Sequence, residues 1–205
     1  MVDGTSTPFP LQRQARLAVF ASGRGSNLAS LLAAFPPDGE EPLAAVRLVL
    51  ADRAEAAALE RAAAAGVTAV HVPFGRDRAG FERRADAQLR EHAIDLVCLA
   101  GFMRVLSAAF VATWQGRLLN VHPSLLPAFR GLHAQRQTLA AGVRESGCTI
   151  HFVDAGVDTG HVIVQRRVPV LDDDDEVSLS ARILEQEHRA YPEAVRLVLR
   201  GEVTP

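Results

Sequence analysis

"RLAVFASGRGSNLASLLAAF", residues 16–35, decides the fold. It opens on a short apolar run suited to a strand, turns through Ser-Gly-Arg-Gly-Ser, and continues with apolar residues at helical spacing. A strand, a glycine turn and a helix in that order begin a β-α-β unit. The rhythm then repeats. VRLVLAD (46–52) is a second strand, followed by the helical AEAAALERAAAAG with Gly66 as its C-terminal stop. VTAVHV (67–72) leads into the amphipathic DRAGFERRADAQLREH. IDLVCLAG (94–101) is almost wholly apolar, as a strand covered on both faces must be. After a short SAAFVATW comes RLLNVH (117–122). Alternation of this kind predicts a Rossmann-like α/β domain with a mostly parallel sheet flanked by helices. Beyond Pro123 the pattern changes. A short helical GLHAQRQTLAAG precedes CTIHFVD (148–154) and HVIVQRRVPV (161–170), which read as an antiparallel C-terminal part, and a long helix spans about 177–200.

The chain has 205 residues, 48% of them apolar and 22% charged, with a net charge of −2. One domain over 15–205 is expected, preceded by a flexible tail over 1–14, with no repeat and no linker. Near-neutrality gives no electrostatic footprint for nucleic acid or a membrane surface. No run is long enough to span a bilayer, and the N-terminus lacks a signal-peptide progression, so a cytoplasmic protein is expected. Cys98 and Cys148 lie in apolar runs and read as reduced core residues. All 22 basic residues are arginine, which excludes Schiff-base and phosphate-loop lysine chemistry. DDDDE (172–176) reads as a solvated loop entering the last helix, where negative charge is favoured.

Three stretches carry chemistry. The ASGRGSNL loop opens a helix whose free N–H groups suit a phosphate. It is neither a Walker loop nor a full dinucleotide fingerprint, since Leu28 takes the third glycine's place. Gly23 and Gly25 let the backbone come close, and Ser26 and Asn27 can bond a ligand or cap the helix; a tight turn with a Ser cap is the plainer alternative. In LLNVHPSLLPAFRG (118–131), Asn120 and His122 sit two apart on a strand and so share a face, at the carboxyl end that Pro123 terminates. An imidazole can move protons near neutral pH, and an amide N–H can donate to an oxyanion. A core histidine beside a capping asparagine is the structural alternative. In VDAGVDTGHVI (153–163), either Asp158 or Asp154 could orient His122, or serve only as a turn former; spacing does not choose.

SGRGSNL, AGFMRVLS (100–107), LLNVHPSLLPAFRGLHAQRQ, FVDAGVDTGHVI and the terminal QEHRAYP, in this order, resemble the phosphoribosylglycinamide formyltransferase family of purine biosynthesis, over about residues 16–200. The resemblance implies formyl transfer from 10-formyltetrahydrofolate, as co-substrate, to the amine of 5′-phosphoribosylglycinamide. It implies that Asn120 stabilises the oxyanion, His122 shuttles a proton and Asp158 pairs with His122. Gly25, Ser26 and Asn27 would hold the ribonucleotide phosphate and Glu187 its glycinamide end. Met103, Arg104, Val105 and Leu106 would line the pterin pocket and Arg78 would contact the folate. Asn120, Asp154 and Asp158 would complete the folate side, the 154–158 loop closing over the pterin. Gln135, His161 and Arg130 depart from the family pattern and bear on fine specificity.

Rival readings are a sister formyl-folate enzyme (a hydrolase or a methionyl-tRNA transferase) and a nucleotide-binding module in which Asp52 holds a ribose. The first two normally carry further domains, for which these residues leave no room. Small-molecule partners are expected, with neither nucleic acid nor membrane, for a monomer or homodimer. The histidines show no metal-ligand spacing, so no metal is expected. Formyl transfer should therefore survive exhaustive EDTA treatment unchanged; activity lost to EDTA and restored by zinc or iron would contradict this.

Overall fold

The structure, a computed structural model, describes residues 8–39 and 41–205. Seven strands form one sheet: β1 (Ala15–Ala21), β2 (Ala44–Ala51), β3 (Thr68–His71), β4 (Leu96–Leu99), β5 (Leu118–His122), β6 (Glu145–Phe152) and β7 (Val162–Pro169). Their order is β3-β2-β1-β4-β5-β6-β7. The first five run parallel, and β6 and β7 are antiparallel additions. The expected α/β architecture and its antiparallel end are both present. Helices α1 (Ser26–Ala34), α2 (Ala57–Ala64), α3 (Arg78–Glu91), α4 (Ala108–Thr113), α5 (Ala134–Ala140) and α6 (Glu176–Leu199) connect or cover the strands.

Strand alternation divides the core in two. Leu17, Val19 and Ala21 of β1 join Leu96 and Cys98 of β4 in a cluster with α1 and α6, while Ala18 and Phe20 join Val97 and Leu99 under Phe81, Phe102 and Trp114. Both faces of these strands are apolar, as burial between two helical layers requires. β5 keeps this pattern only on one side. Leu119 and Val121 point into the α6 cluster, and Leu118 starts the other face in the second cluster. Asn120 and His122 continue that second face. In β6, Cys148, Ile150 and Phe152 belong to the α6 cluster, so Thr149 and His151 share the polar face.

Helix α6 anchors this arrangement. Tyr191 is fully buried, and its hydroxyl lies 3.1 Å from both the Leu99 carbonyl at the end of β4 and the Leu119 carbonyl near the start of β5, so that it spans the two strands. The acidic run that leads into α6 is a loop with Asp172, Asp173 and Asp175 exposed, as expected from the sequence, and it also caps the helix. Asp175 caps it, accepting from the N–H groups of Val177 and Ser178, and Asp174 is 2% exposed in a two-pronged contact with Arg182. The expected tail needs correction. Residues 1–7 lie outside the described residues, but Phe9 is buried in the α6 cluster, and Arg13 forms a paired contact with Asp95 at 2.7 Å. An aromatic side chain with apolar surface to bury overrides a polar neighbourhood. Cys98 and Cys148 are buried and unpaired.

Candidate active site

The sheet order turns back between β1 and β4, and in such sheets the crevice lies outside the carboxyl ends of the strands at that point. The loop after β1 and the loop after β4 flank it. They are tied together: Ser22 N–H donates to the Gly101 carbonyl at 3.2 Å, and Met103 N–H donates to Ser22 Oγ at 2.9 Å. β5 supplies the next strand end, and it carries Asn120 and His122.

Those two side chains meet Asp158. His122 Nδ1 lies 3.2 Å from Asp158 Oδ2, and Asn120 Nδ2 donates to Oδ1 over 3.4 Å. Asp158 Oδ2 also accepts from Gly131 N–H at 2.9 Å. His122 Nε2 lies 2.8 Å from the Phe129 carbonyl. Both ring nitrogens thus face acceptors, an arrangement that an imidazolium satisfies with two N–H donors. Burial alone would push the Asp158 carboxyl up. The N–H of Gly131 and positive charge at His122 act against that, and the carboxyl is held below the usual carboxylate range. Of the two aspartates that spacing left open, Asp158 is the one at the histidine. Asp154 turns onto its own loop, where Oδ1 accepts from Gly156 N–H at 3.1 Å and the Thr159 hydroxyl at 2.6 Å. Asp158 holds a left-handed φ of 52°, uncommon for a residue with a side chain.

The glycine loop opens α1 without a serine cap. Gly25 is the N-cap, at φ 72°, and no side chain satisfies the first turn. A Cβ there would sit 3.0 Å from Ala58 Cα and Cβ, so glycine is required twice over. The loop's carbonyls are taken by α2: Gly23 O accepts from Ala58 N–H at 3.1 Å, and Arg24 O from Arg61 Nε at 3.0 Å. This leaves the N–H groups of the first turn as the free edge, the geometry of an anion site. Ser26 begins the helix. Asn27 is buried and donates from Nδ2 to Glu187 Oε2 at 2.7 Å, while its Oδ1 has no partner among the described residues. Burial pushes the Glu187 carboxyl up against the opposing pull of Asn27. The presumed ribonucleotide residues of α1 and α6 are therefore one cluster.

On the β4 side, Met103 and Val105 are 59% and 63% exposed, an apolar display at the crevice, while Leu106 is buried. Arg104 is pinned, its Nε 2.6 Å from Asp52 and its guanidinium 5.0 Å over the Phe74 ring. Asp52 therefore faces an arginine, which argues against its holding a ribose. Arg78 stands apart as the exposed first residue of α3, with no ion-pair partner among the described residues.

The sequence profile of the formyl transferase family matches residues 15–195. The chain belongs to the formyl transferase family. It is 49% identical over 193 residues to the trifunctional purine biosynthetic protein adenosine-3 of Drosophila melanogaster, an alignment covering 93% of this chain but spanning only 14% of that protein. Identity to the phosphoribosylglycinamide formyltransferase of Escherichia coli (strain K12) is 43% over 179 residues, covering 86% and 83% of the two chains. The crystal structure of glycinamide ribonucleotide transformylase 1 from Symbiobacterium toebii matches with a TM-score of 0.87 at 47% identity, over 92% of this chain and 89% of that one.

Several groups that shape this candidate site escaped the sequence reading. His151, 2% exposed, stands beside Asn120. Thr149 Oγ1 accepts from Leu126 N–H and donates to the Ser124 carbonyl, and Gln165 Nε2 bonds both the Leu126 carbonyl and Thr149, so the turn after β5 is held by β6 and β7. The backbone groups of Phe129 and Gly131 carry no sequence signal. His151 and Thr149 had one, as polar residues inside the apolar run CTIHF, but only the β5–β6 register places them at the site.

The depressed Asp158 carboxyl has a consequence for stability. Its contribution is present above the unfolded-state value and is lost as pH falls through the lower folded-state value. Replacing it by Asn should make the fall in thermal midpoint between about pH 5 and about pH 3 shallower than in the wild type, measured by calorimetry. Parallel curves for the two proteins would contradict the assignment.

Proposed function

We propose that this protein transfers the formyl group of 10-formyltetrahydrofolate to the amine of 5′-phosphoribosylglycinamide, a step of purine biosynthesis. The observation that carries the reading is the convergence of Asn120, His122 and Asp158 at the carboxyl end of β5, next to an anion-ready helix terminus. The likeness to the phosphoribosylglycinamide formyltransferase of Escherichia coli (strain K12), over 86% of this chain and 83% of that one, supports it.

In this reading the first turn of α1, with Gly25, Ser26 and Asn27, binds the 5′-phosphate through N–H groups, and Glu187 with Asn27 meets the sugar-glycinamide portion. Met103, Arg104, Val105 and Leu106 form the wall against the pterin, with Asp154 and the loop to Asp158 across from it. Arg78 takes the outer end of the folate. The amine attacks the formyl carbon, whose oxygen gains charge, and an Asn120 N–H donates to it. As the bond from the formyl carbon to the folate nitrogen breaks, His122 gives that nitrogen a proton and regains one from the attacking amine, and Asp158 keeps its ring oriented. Delivering that proton requires the ring to give up one of its two present acceptors. Neither cysteine acts as a covalent nucleophile, since Cys98 and Cys148 are buried, with thiols pushed up to about 12 chiefly by that burial.

The deciding assay follows deformylation of 10-formyltetrahydrofolate with and without 5′-phosphoribosylglycinamide. Turnover should depend on the ribonucleotide, and Gly25→Val should raise its KM by about 10-fold or more while folate affinity changes little. Turnover indifferent to the ribonucleotide would indicate a hydrolase instead.

A further inference from the structure

His151 is absent from the catalytic reading above, yet it is the nearest side chain to the amide that reading uses. It lies on β6 directly opposite Asn120 in the antiparallel ladder. Its side chain is 3% exposed, so it does not meet substrate. Its Nδ1 lies 2.7 Å from the Phe152 carbonyl. A carbonyl only accepts, so Nδ1 carries a hydrogen. Its Nε2 lies 3.2 Å from Asn120 Nδ2 and 3.6 Å from Asp158 Oδ1, the second separation being too long for a hydrogen bond.

Two arrangements of this triangle can be compared. With Nε2 bare, it accepts from Asn120 Nδ2–H, and the same amide edge also faces Asp158 Oδ1 at 3.4 Å. Every donor then meets an acceptor. With the amide turned over, Asn120 Oδ1 would stand against the Asp158 carboxylate oxygen, two acceptors in contact. A hydrogen on Nε2 would in turn oppose the present Asn120 donor. Only the first arrangement satisfies all three groups.

We propose that His151 is a positioning residue that fixes the amide of Asn120. Held as the Nδ1–H tautomer, it and Asp158 claim one hydrogen of Asn120 Nδ2. The second hydrogen is left in a defined direction, free for the oxygen of the formyl group as it gains charge. An amide free to rotate would present its own oxygen to that charge part of the time, and preorganisation of the donor would be lost. The inference rests on the formyl-transfer reading for its kinetic effect, but its structural part does not.

Two measurements test it. Histidine ¹⁵N chemical shifts of the wild-type protein, assigned with His151→Gln, should show His151 with a hydrogen on Nδ1 and a bare Nε2 near neutral pH. An Nε2–H tautomer would overturn the proposal whatever the enzyme catalyses. In the transfer assay, with wild-type turnover established first, His151→Phe should lower kcat by about 10-fold, with both KM values within about 3-fold. His151→Gln, which restores an acceptor, should recover most of the loss. In an Asn120→Ala background, His151→Phe should cost less than about 2-fold, because the amide it serves is gone. An equal loss in both backgrounds, with thermal midpoints showing folded protein, would mean that His151 acts otherwise than through Asn120. A wild type without ribonucleotide-dependent turnover would instead remove the formyl-transfer reading and leave the tautomer result standing.

Discussion

The site depends on one half-buried carboxylate. Asp158 gathers Nδ1 of His122, Nδ2 of Asn120 and the N–H of Gly131, and it stands 3.6 Å from His151. These come from β5, from the turn beyond it and from β6, while Asp158 itself belongs to the loop that joins β6 to β7. A charge taken out of water needs donors around it, and two of the donors here, on His122 and Asn120, are groups whose orientation formyl transfer would require. The same contacts that keep the carboxylate ionised therefore fix His122 and Asn120. Its left-handed backbone is tolerable because the side chain is held from so many directions.

Around that centre the fold separates two tasks. The parallel half of the sheet provides the helix terminus after β1 and the apolar loop after β4, bound to each other through Ser22. The antiparallel half provides rigidity for the strand between them. β6 braces β5 by backbone pairing, by Thr149 under the turn at 124–126 and by His151 beside Asn120. Without β6 and β7, the polar face of β5 would end in an unsupported loop. The two added strands are thus part of the site rather than an appendage to it.

Much of this could be read from residues alone, and the reasons for success and failure are local. Asn120 and His122 were legible because a strand's period of two puts them on one face and Pro123 marks its end. The glycine loop was legible because a strand and a helix flank it, although the serine cap proved to be a left-handed glycine. Asp158 and Asp154 were not separable, since the loop between β6 and β7 can present either carboxylate and only its closure through Thr159 decides. His151, Thr149 and Gln165 were invisible as site residues because their roles depend on antiparallel register. Phe9 was misjudged because its polar neighbours in sequence said nothing of the apolar cluster that buries it.

The central claim is that Asp158 and His122 work as one unit, not as two independent contributors. The most direct measurement is kcat at saturating substrates for His122→Ala, Asp158→Ala and the double variant. Residues acting as a unit are strongly non-additive, so the double variant should fall no more than about 3-fold below the worse single one. Losses that multiply would contradict the account.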